Sequence, residues 1–449
     1  MTTFEEIYPQ GNLPYACFQR GDRYVIGAIM NNGDYFWMFK TDLNGNLVST
    51  KTYITPPGGE FMADVVATSD GGYLLLGHSF GFPLHGSYFF GYAVKVDSNL
   101  NKQWEFVNYD DTDSISYNVN EFLGGAETED GEFILLAQTL RGTSIEAGTN
   151  ANMMLVKLNP SGEKQWEKIL EYPGYTTIRG GIAVALDGYL IAASQSFIYT
   201  ENDSIVTTGL RPFLIKTDFD GDTLWTKRYD RPDLAISDSY WFEGILPLSD
   251  GNYLPCGYTN LKINKDGQEI WQSSTLLARN NMSDGSIICC SGHFVSKISE
   301  NGQVLWTKEY FTEPQYNYPY HYYFKDIIET NDGGFFAVVQ YTGYMLLLKM
   351  DCEGNYLSTT CFSTAVNPAA VKPEITLSPN PTQDNLTITF PETGTYQIQI
   401  TDIQGKACYT QSFFGEKAQF SVDFLPAGLY LITLESKETG KIMGKFVKE

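Results

Sequence analysis

Short apolar runs recur along the chain, each just after a Gly-containing turn. They are YVIGA (24–28), YLLLG (73–77), FILLA (133–137), YLIAA (189–193), YLPCG (253–257), SIICC (286–290) and FFAVV (335–339). The turns before them are mostly Asp-Gly, as in TSDGG (68–72), TEDG (128–131) and TNDGG (330–334). Runs of this length bounded by turn residues read as strands buried on both faces. Apolar residues also precede each turn, as in DVVATSDGG (64–72), so each unit is an antiparallel hairpin.

A second hairpin follows each first one. Seven eleven-residue segments align without gaps: FKTDLNGNLVS (39–49), VKVDSNLNKQW (94–104), VKLNPSGEKQW (156–166), IKTDFDGDTLW (215–225), LKINKDGQEIW (261–271), SKISENGQVLW (296–306) and LKMDCEGNYLS (348–358). Lys holds the second place in all seven, and Asp, Asn or Ser holds the fourth. Gly fills the seventh in six, Leu100 excepted, and Trp fills the eleventh in five, with Ser49 and Ser358 at the ends of the series. Asp, Asn or Ser opens a turn by accepting local backbone hydrogen bonds, and Gly three residues on tolerates the positive φ that closes it. Once-per-repeat Trp points to packing between repeats.

Two hairpins per unit make four strands. The Lys positions (40, 95, 157, 216, 262, 297, 349) set a spacing of 35 to 62 residues. Four antiparallel strands per unit, repeated seven times without a polar capping repeat, predict a closed β-propeller rather than an open solenoid. FEEIY (4–8) resembles the outer strand after each Trp, as in LWTKRY (224–229), so the chain starts in mid-repeat and its first strand is placed to close the ring on the last blade. The fold class expected is all-β: a seven-bladed propeller over 1–362, a linker over 363–373 (STAVNPAAVKP), and a small Ig-like β-sandwich over 374–449.

Strand order assigns the turns. Asp-Gly turns join the two innermost strands and the D-x-x-G turns join the two outermost, so both sets lie at one end. The other connections lie at the opposite end and are expected to be long and unlike one another: 78–90, 139–152, 196–210, 230–242 and 311–325. Variation confined to one end is what a scaffold with grafted recognition loops presents. Two of these loops are aromatic. Arg231, Tyr240 and Trp241 lie in one; Tyr318, Tyr320, His321 and Tyr322 lie in the other. Tyr and Trp offer rigid surfaces with a polar handle, suited to sugars or peptides. The same residues would serve equally to pack loops over the channel mouth.

Charge narrows the partners. Lys plus Arg number 30 against 53 Asp plus Glu, a net charge of -23, which repels nucleic acid and anionic lipid. No apolar run is long enough for a transmembrane helix. The start, MTTFEEIYPQG, has neither a basic n-region nor an apolar h-region. The seven Cys are scattered, with no C-x-x-C; Cys352 and Cys361 flank the last hairpin and could pair in an exported chain. No metal site and no cofactor are expected. Asp218, Asp220 and Asp222 lack the Gly and Glu spacing of an EF-hand. The vicinal pair Cys289–Cys290 lies in a predicted strand, where adjacent side chains face opposite ways. G-x-S-x-G, H-E-x-x-H and P-loop motifs are missing.

The C-terminal segment carries a specific resemblance. LSPNPTQDNLTITF (377–390), YQIQITDIQGK (396–406), LPAGLYLITLES (425–436) and KFVK (445–448) occur in order. They resemble the type A sorting domain of the Bacteroidetes type IX secretion system. Pro379, Asn380, Pro381, Gly394, Gly405, Gly428, Tyr430 and Lys445 match its motif positions. The resemblance implies two-step export through secretion machinery that recognises 374–449, and a secreted or outer-membrane-surface location. It also implies an export leader, so the start shown is expected to be trimmed or misassigned, or the chain a stranded relic. Three functional readings follow: a secreted binding module for glycan, peptide or protein at the long-loop end; a secreted hydrolase or lyase using channel carboxylates; and a structural surface or matrix component.

Overall fold

A computed structural model describes residues 3–8, 11–30, 35–54, 60–80, 89–108, 119–139, 152–170, 175–196, 198–201, 204–207, 210–229, 241–273, 276–312, 322–341, 343–356, 376–402, 406–436 and 440–449. Two compact units divide the chain, Met1–Ala365 and Val366–Glu449. The elements are all strands.

The first unit is a seven-bladed propeller whose blades each have four antiparallel strands; a short parallel pairing of Val119 and Asn120 with Phe89 and Phe90 joins blades 2 and 3 into one sheet. Strands are lettered A to D from the axis outward. Blade 1 is Gly11–Arg20, Arg23–Met30, Phe36–Thr41 and Leu47–Tyr53; blade 2 is Glu60–Ala67, Tyr73–Phe80, Phe89–Val96 and Lys102–Asn108; blade 3 is Val119–Glu127, Phe133–Thr139, Asn152–Leu158 and Lys164–Leu170. Blade 4 is Tyr175–Ala185, Gly188–Ser196, Arg211–Thr217 and Thr223–Arg228, with a small hairpin, Ile198–Glu201 and Ser204–Thr207, between its B and C strands. Blade 5 is Phe242–Pro247, Tyr253–Gly257, Asn260–Ile263 and Glu269–Ser273; blade 6 is Ala278–Asn281, Ile287–Ser291, Phe294–Ile298 and Val304–Glu309. Blade 7 takes Tyr322–Glu329, Phe335–Tyr341 and Tyr344–Met350 from the end of the repeat and its D strand, Phe4–Tyr8, from the start of the chain.

That closing strand explains one irregularity of the repeat. Phe4 pairs with Lys349 just as Trp104 pairs with Lys95 and Trp225 with Lys216. Phe4 therefore occupies the Trp place of blade 7. The ring is shut through its core as well. Tyr24 of blade 1 stacks on Phe336 of blade 7 with centroids 3.9 Å apart, inside a buried cluster shared by the two blades.

Each invariant feature of the repeat has a physical task. The fourth-place Asp, Asn or Ser accepts from the backbone of its own turn: Asp97 Oδ1 takes the N–H groups of Asn99 and Asn101 at 2.8 and 2.7 Å. The seventh-place Gly has φ between +69° and +87°. The Trp of one blade lies over the Gly of the next. A Cβ on Gly162 would fall 2.5 Å from Trp104, on Gly267 2.6 Å from Trp225, and on Gly302 2.8 Å from Trp271. Only Gly satisfies both the backbone and the contact. A Tyr at the end of the D strand or just past it latches such joints: Tyr53, Tyr229 and Tyr310 hydroxyls donate to the carbonyls of residues 100, 267 and 354 in the following blades, at 2.7, 2.8 and 2.6 Å.

Ser49 and Leu100, two departures from the repeat, belong to one joint. Blade 1 offers no Trp, so the turn of blade 2 has room for a side chain. Leu100 takes φ +66° and is fully buried in the cluster between the two blades.

The invariant Lys ties the C strand to the A–B turn. Lys95, Lys216, Lys262, Lys297 and Lys349 pair with Asp70, Asp187, Asp250, Asp284 and Asp332 at 2.6 to 3.1 Å, and Lys157 pairs with Glu132 at 2.9 Å. Lys40 instead reaches the Ser98 carbonyl of blade 2. These contacts place both sets of short turns at one end of the ring.

The opposite end is less uniform than expected. B–C connections are long in blades 2, 3 and 4 (81–88, 140–151 and 197–210). In blades 5, 6 and 7 they shrink to two residues, 258–259, 292–293 and 342–343. Gly292 and Gly343 supply the positive φ of +57° and +84° that tight hairpins require.

The second unit is a β-sandwich. Asn385–Asp402 pairs with Ala407–Ser421 along both of its halves, with a shift of register between Thr389 and Gly394. Thr376–Ser378, Gly428–Ser436 and Gly440–Lys448 complete the five-stranded sheet. Leu386, Ile388, Tyr396, Ile398, Ile400, Ile432, Leu434 and Phe446 fill its core. The Ala407–Ser421 strand is continuous from end to end. Residues 407–418 are mostly exposed and lack the alternation that would have signalled a strand.

Candidate functional site

At the long-connection end, Trp241 and Tyr322 are the described members of the aromatic candidates. Arg231, Tyr240, Tyr318, Tyr320 and His321 lie outside the described residues. Trp241 is half-buried just before the A strand of blade 5. Its indole Nε1 donates to Glu243 at 3.0 Å, and its ring packs 5.6 Å from Tyr258. Tyr322 is buried between Phe311 and Tyr341, with centroids 4.1 and 4.0 Å away. The structure thus separates the pair: Trp241 borders solvent, whereas Tyr322 packs the core joining blades 6 and 7.

The inner strands carry polar groups that the repeat does not announce. Each A strand has a register irregularity; in blades 2 and 7 an Asp follows it. Asp64 Oδ1 accepts from Val65 N–H at 2.8 Å and Oδ2 from Gly125 N–H of blade 3 at 3.3 Å. Asp326 repeats the arrangement, with Ile327 N–H at 2.9 Å and Cys17 N–H of blade 1 at 2.9 Å. Both carboxylates are stitches between neighbouring blades. Burial pushes Asp64 up to about 6 despite its two backbone donors, and it raises Asp326 likewise. Arg279 of blade 6 stands in the field of Asp326 and Glu243, and its Nε, although buried, has no hydrogen-bond partner.

Glycines close the inner ring elsewhere. A Cβ on Gly181 of blade 4 would meet the Cα of Gly244 of blade 5 at 2.7 Å, and one on Gly124 of blade 3 would lie 3.9 Å from the Cα of Gly181. Blades 3, 4 and 5 therefore approach one another through bare backbone. The short turns carry acids of the opposite character. Burial alone would raise Asp70, but Lys95, the Thr68 hydroxyl and Gly72 N–H outweigh it and hold the carboxyl down at about 2.

Cysteines follow their surroundings. Cys17, Cys256, Cys289 and Cys290 are buried free thiols, all raised by burial. Cys352 is disulfide-bonded, and Cys361 lies outside the described residues. Among the described residues no three His, Cys, Asp or Glu gather as a metal site, and no helix is long and apolar enough to cross a membrane. Asp218 spends Oδ1 on the N–H groups of Asp220 and Asp222, its own turn.

The matching motif of the second unit is organised around its last strand. Asn380 Nδ2 donates to the Lys445 carbonyl at 3.1 Å, and its Oδ1 accepts from Val447 N–H at 2.9 Å. Thr382 and Glu449 extend this bonding. Pro379 and Pro381, each preceded by a cis peptide bond, flank Asn380. Tyr430 is buried on Phe446, and its hydroxyl donates to the Pro426 carbonyl at 2.9 Å. Gly394 pairs with Gly415 across the sheet, Gly428 opens the Gly428–Ser436 strand, and Lys445 is exposed; Gly405 lies outside the described residues.

Residues 376–449 match a family described as the secretion system C-terminal sorting domain. The second unit is a type IX sorting domain. A sorting domain of this kind marks a chain as secreted or displayed at the cell surface, and it implies a Bacteroidetes source and contact with the type IX machinery. No curated protein matches the chain. Similar solved structures include a protein of unknown function from Bacteroides caccae, 12% identical, covering 63% of this chain and 92% of that one with a TM-score of 0.37. A chain from the crystal structure of BBS1N in complex with ARL6DN is 11% identical, with 79% and 98% covered and a TM-score of 0.46.

Proposed function

We propose that this is a secreted or surface-displayed binding module, a propeller whose long-connection end takes an extracellular glycan, peptide or protein ligand. In this reading the propeller spans 1–362, residues 363–373 link it to the sorting domain, and the sorting domain delivers it. One observation carries the proposal: the turns at one end are short and tied down by Lys–acid pairs, while the long B–C connections of blades 2, 3 and 4 all leave from the other. Loops free to vary on a rigid ring are where recognition is built. Trp241 sits at that end with a half-buried ring, the disposition of an interfacial anchor.

The purified full chain on glycan and peptide arrays should bind a restricted set of ligands, and Trp241→Ala should weaken that binding about tenfold or more. Empty arrays, or binding untouched by the substitution and by exchange of the blade 2–4 loops, would overturn the reading.

A further inference from the structure

The short-turn end also holds a built pocket. A cavity of about 280 Å³ opens there between blades 6, 7 and 1, at the small end of ligand-site volumes. Its walls are Asn280 and Asn281 of blade 6, Ile328, Glu329 and Asn331 of blade 7, and Phe18 and Arg20 of blade 1.

Asn280 breaks the repeat. It pairs with Ile288, the second apolar residue of its B strand. The residues at that register in the other six blades are Phe18, Val66, Ala126, Ala183, Leu246 and Ile328, all apolar. A polar residue at a core register is the kind of local conflict that marks a functional site.

The polar groups of the pocket are positioned from behind. Asn280 Nδ2 donates to Asp326 Oδ1 at 3.0 Å and to the Ile327 carbonyl at 2.9 Å. Asn281 Nδ2 donates to the Pro247 carbonyl at 2.7 Å. Both amides thereby spend donors on the protein and keep Oδ1 as an acceptor. Glu329 is clamped by Ser283, whose N–H and hydroxyl approach its two oxygens at 2.7 and 2.9 Å, and each oxygen retains a lone pair. Gln19 Oε1 takes Asn331 N–H at 2.8 Å, which fixes the rim between blades 7 and 1. Phe18 adds an apolar ring, itself held 5.2 Å from Tyr73.

The chemistry of this wall is specific. It offers fixed acceptors to hydroxyl donors, an aromatic ring to a C–H face, and one acid, Glu329, with Arg20 the one cation on its wall. An anionic ligand would meet Glu329 without a surplus cation. We infer that the pocket binds a neutral sugar, one pyranose ring deep. This site is separate from the long-connection end and stands or falls independently of it.

Saturation-transfer NMR and calorimetry on the full chain with D-glucose, D-galactose, D-mannose and N-acetylglucosamine provide the test. At least one sugar should bind. The exposed double variant Asn281→Ala/Asn331→Ala should weaken it about tenfold or more. Trp241→Ala should leave it unchanged. No binding by any of the four, binding that survives the double variant, or tighter binding of galacturonate than of galactose would overturn the inference. If Trp241→Ala alone abolishes sugar binding, the pocket is refuted while the binding module stands.

Discussion

The outer and inner rings of the propeller hold together by different rules. Outside, the joints repeat: a Trp over a left-handed Gly and a Tyr hydroxyl on the turn carbonyl. Inside, the joints differ from blade to blade: an Asp stitch between blades 2 and 3 and between 7 and 1, glycine against glycine between 4 and 5, and asparagine bridging 6 and 7. The outer ring is wide and its blades are splayed, so one large side chain per blade fills the same wedge each time. The inner strands crowd one axis, where seven equal side chains would collide. Small or polar residues must share that space unequally.

The largest expected effect breaks an outer joint. Gly162→Leu forces a side chain into φ +82° and against Trp104, at a cost of about 3–4 kcal/mol. Trp104→Ser alone should cost about 3 kcal/mol. The double substitution rebuilds the Ser49/Leu100 joint, so it should recover at least about 2 kcal/mol against the sum of the singles. Urea unfolding measures this; strictly additive losses would show that the two departures from the repeat are unrelated.

A smaller effect separates the two partners of a Lys tie. The Lys216 side chain is 2% exposed and that of Asp187 is 72% exposed. Asp187→Ala strands a buried ammonium and should cost about 2 kcal/mol. Lys216→Met leaves a solvated carboxylate and should cost under about 1 kcal/mol. The reverse order in thermal melts would contradict the tie.

The smallest effect is one of sign. Asp64 is raised to about 6 in the fold, so its folded form takes up a proton more readily than its unfolded form. Its penalty is full above pH 6 and fades as pH falls toward 4, which raises stability. Asp70, held at about 2, contributes stability that is lost as pH falls from 4 through 2. Melting curves of Asp64→Ala and Asp70→Ala against the parent should differ in these two windows, with opposite slopes. Equal slopes would erase the distinction between inner and turn acids.

Much of the outer ring could be read beforehand because one short motif was written seven times. Even the closing strand was legible, since FEEIY looks like its counterparts. Of the candidate site, only Trp241 and Tyr322 can be placed, and nothing in their spacing distinguished the solvent-bordering ring from the core one. The Asp64 and Asp326 stitches each join residues far apart in the chain, so no local pattern betrayed them. Asn280 did leave a signal, an amide where its six counterparts are apolar, but recognising it required the strand register.

By itself the sequence determined the all-β class, the blade count, the end at which the short turns gather, and the export tag. Those depend on local chemistry: turn residues, apolar runs and motif order. Only the tertiary structure decided which departures from the repeat compensate one another, which acids are stitches, and where a cavity opens. Such features arise where blades distant in sequence share one small volume, and there packing and desolvation, not local pattern, choose the residue.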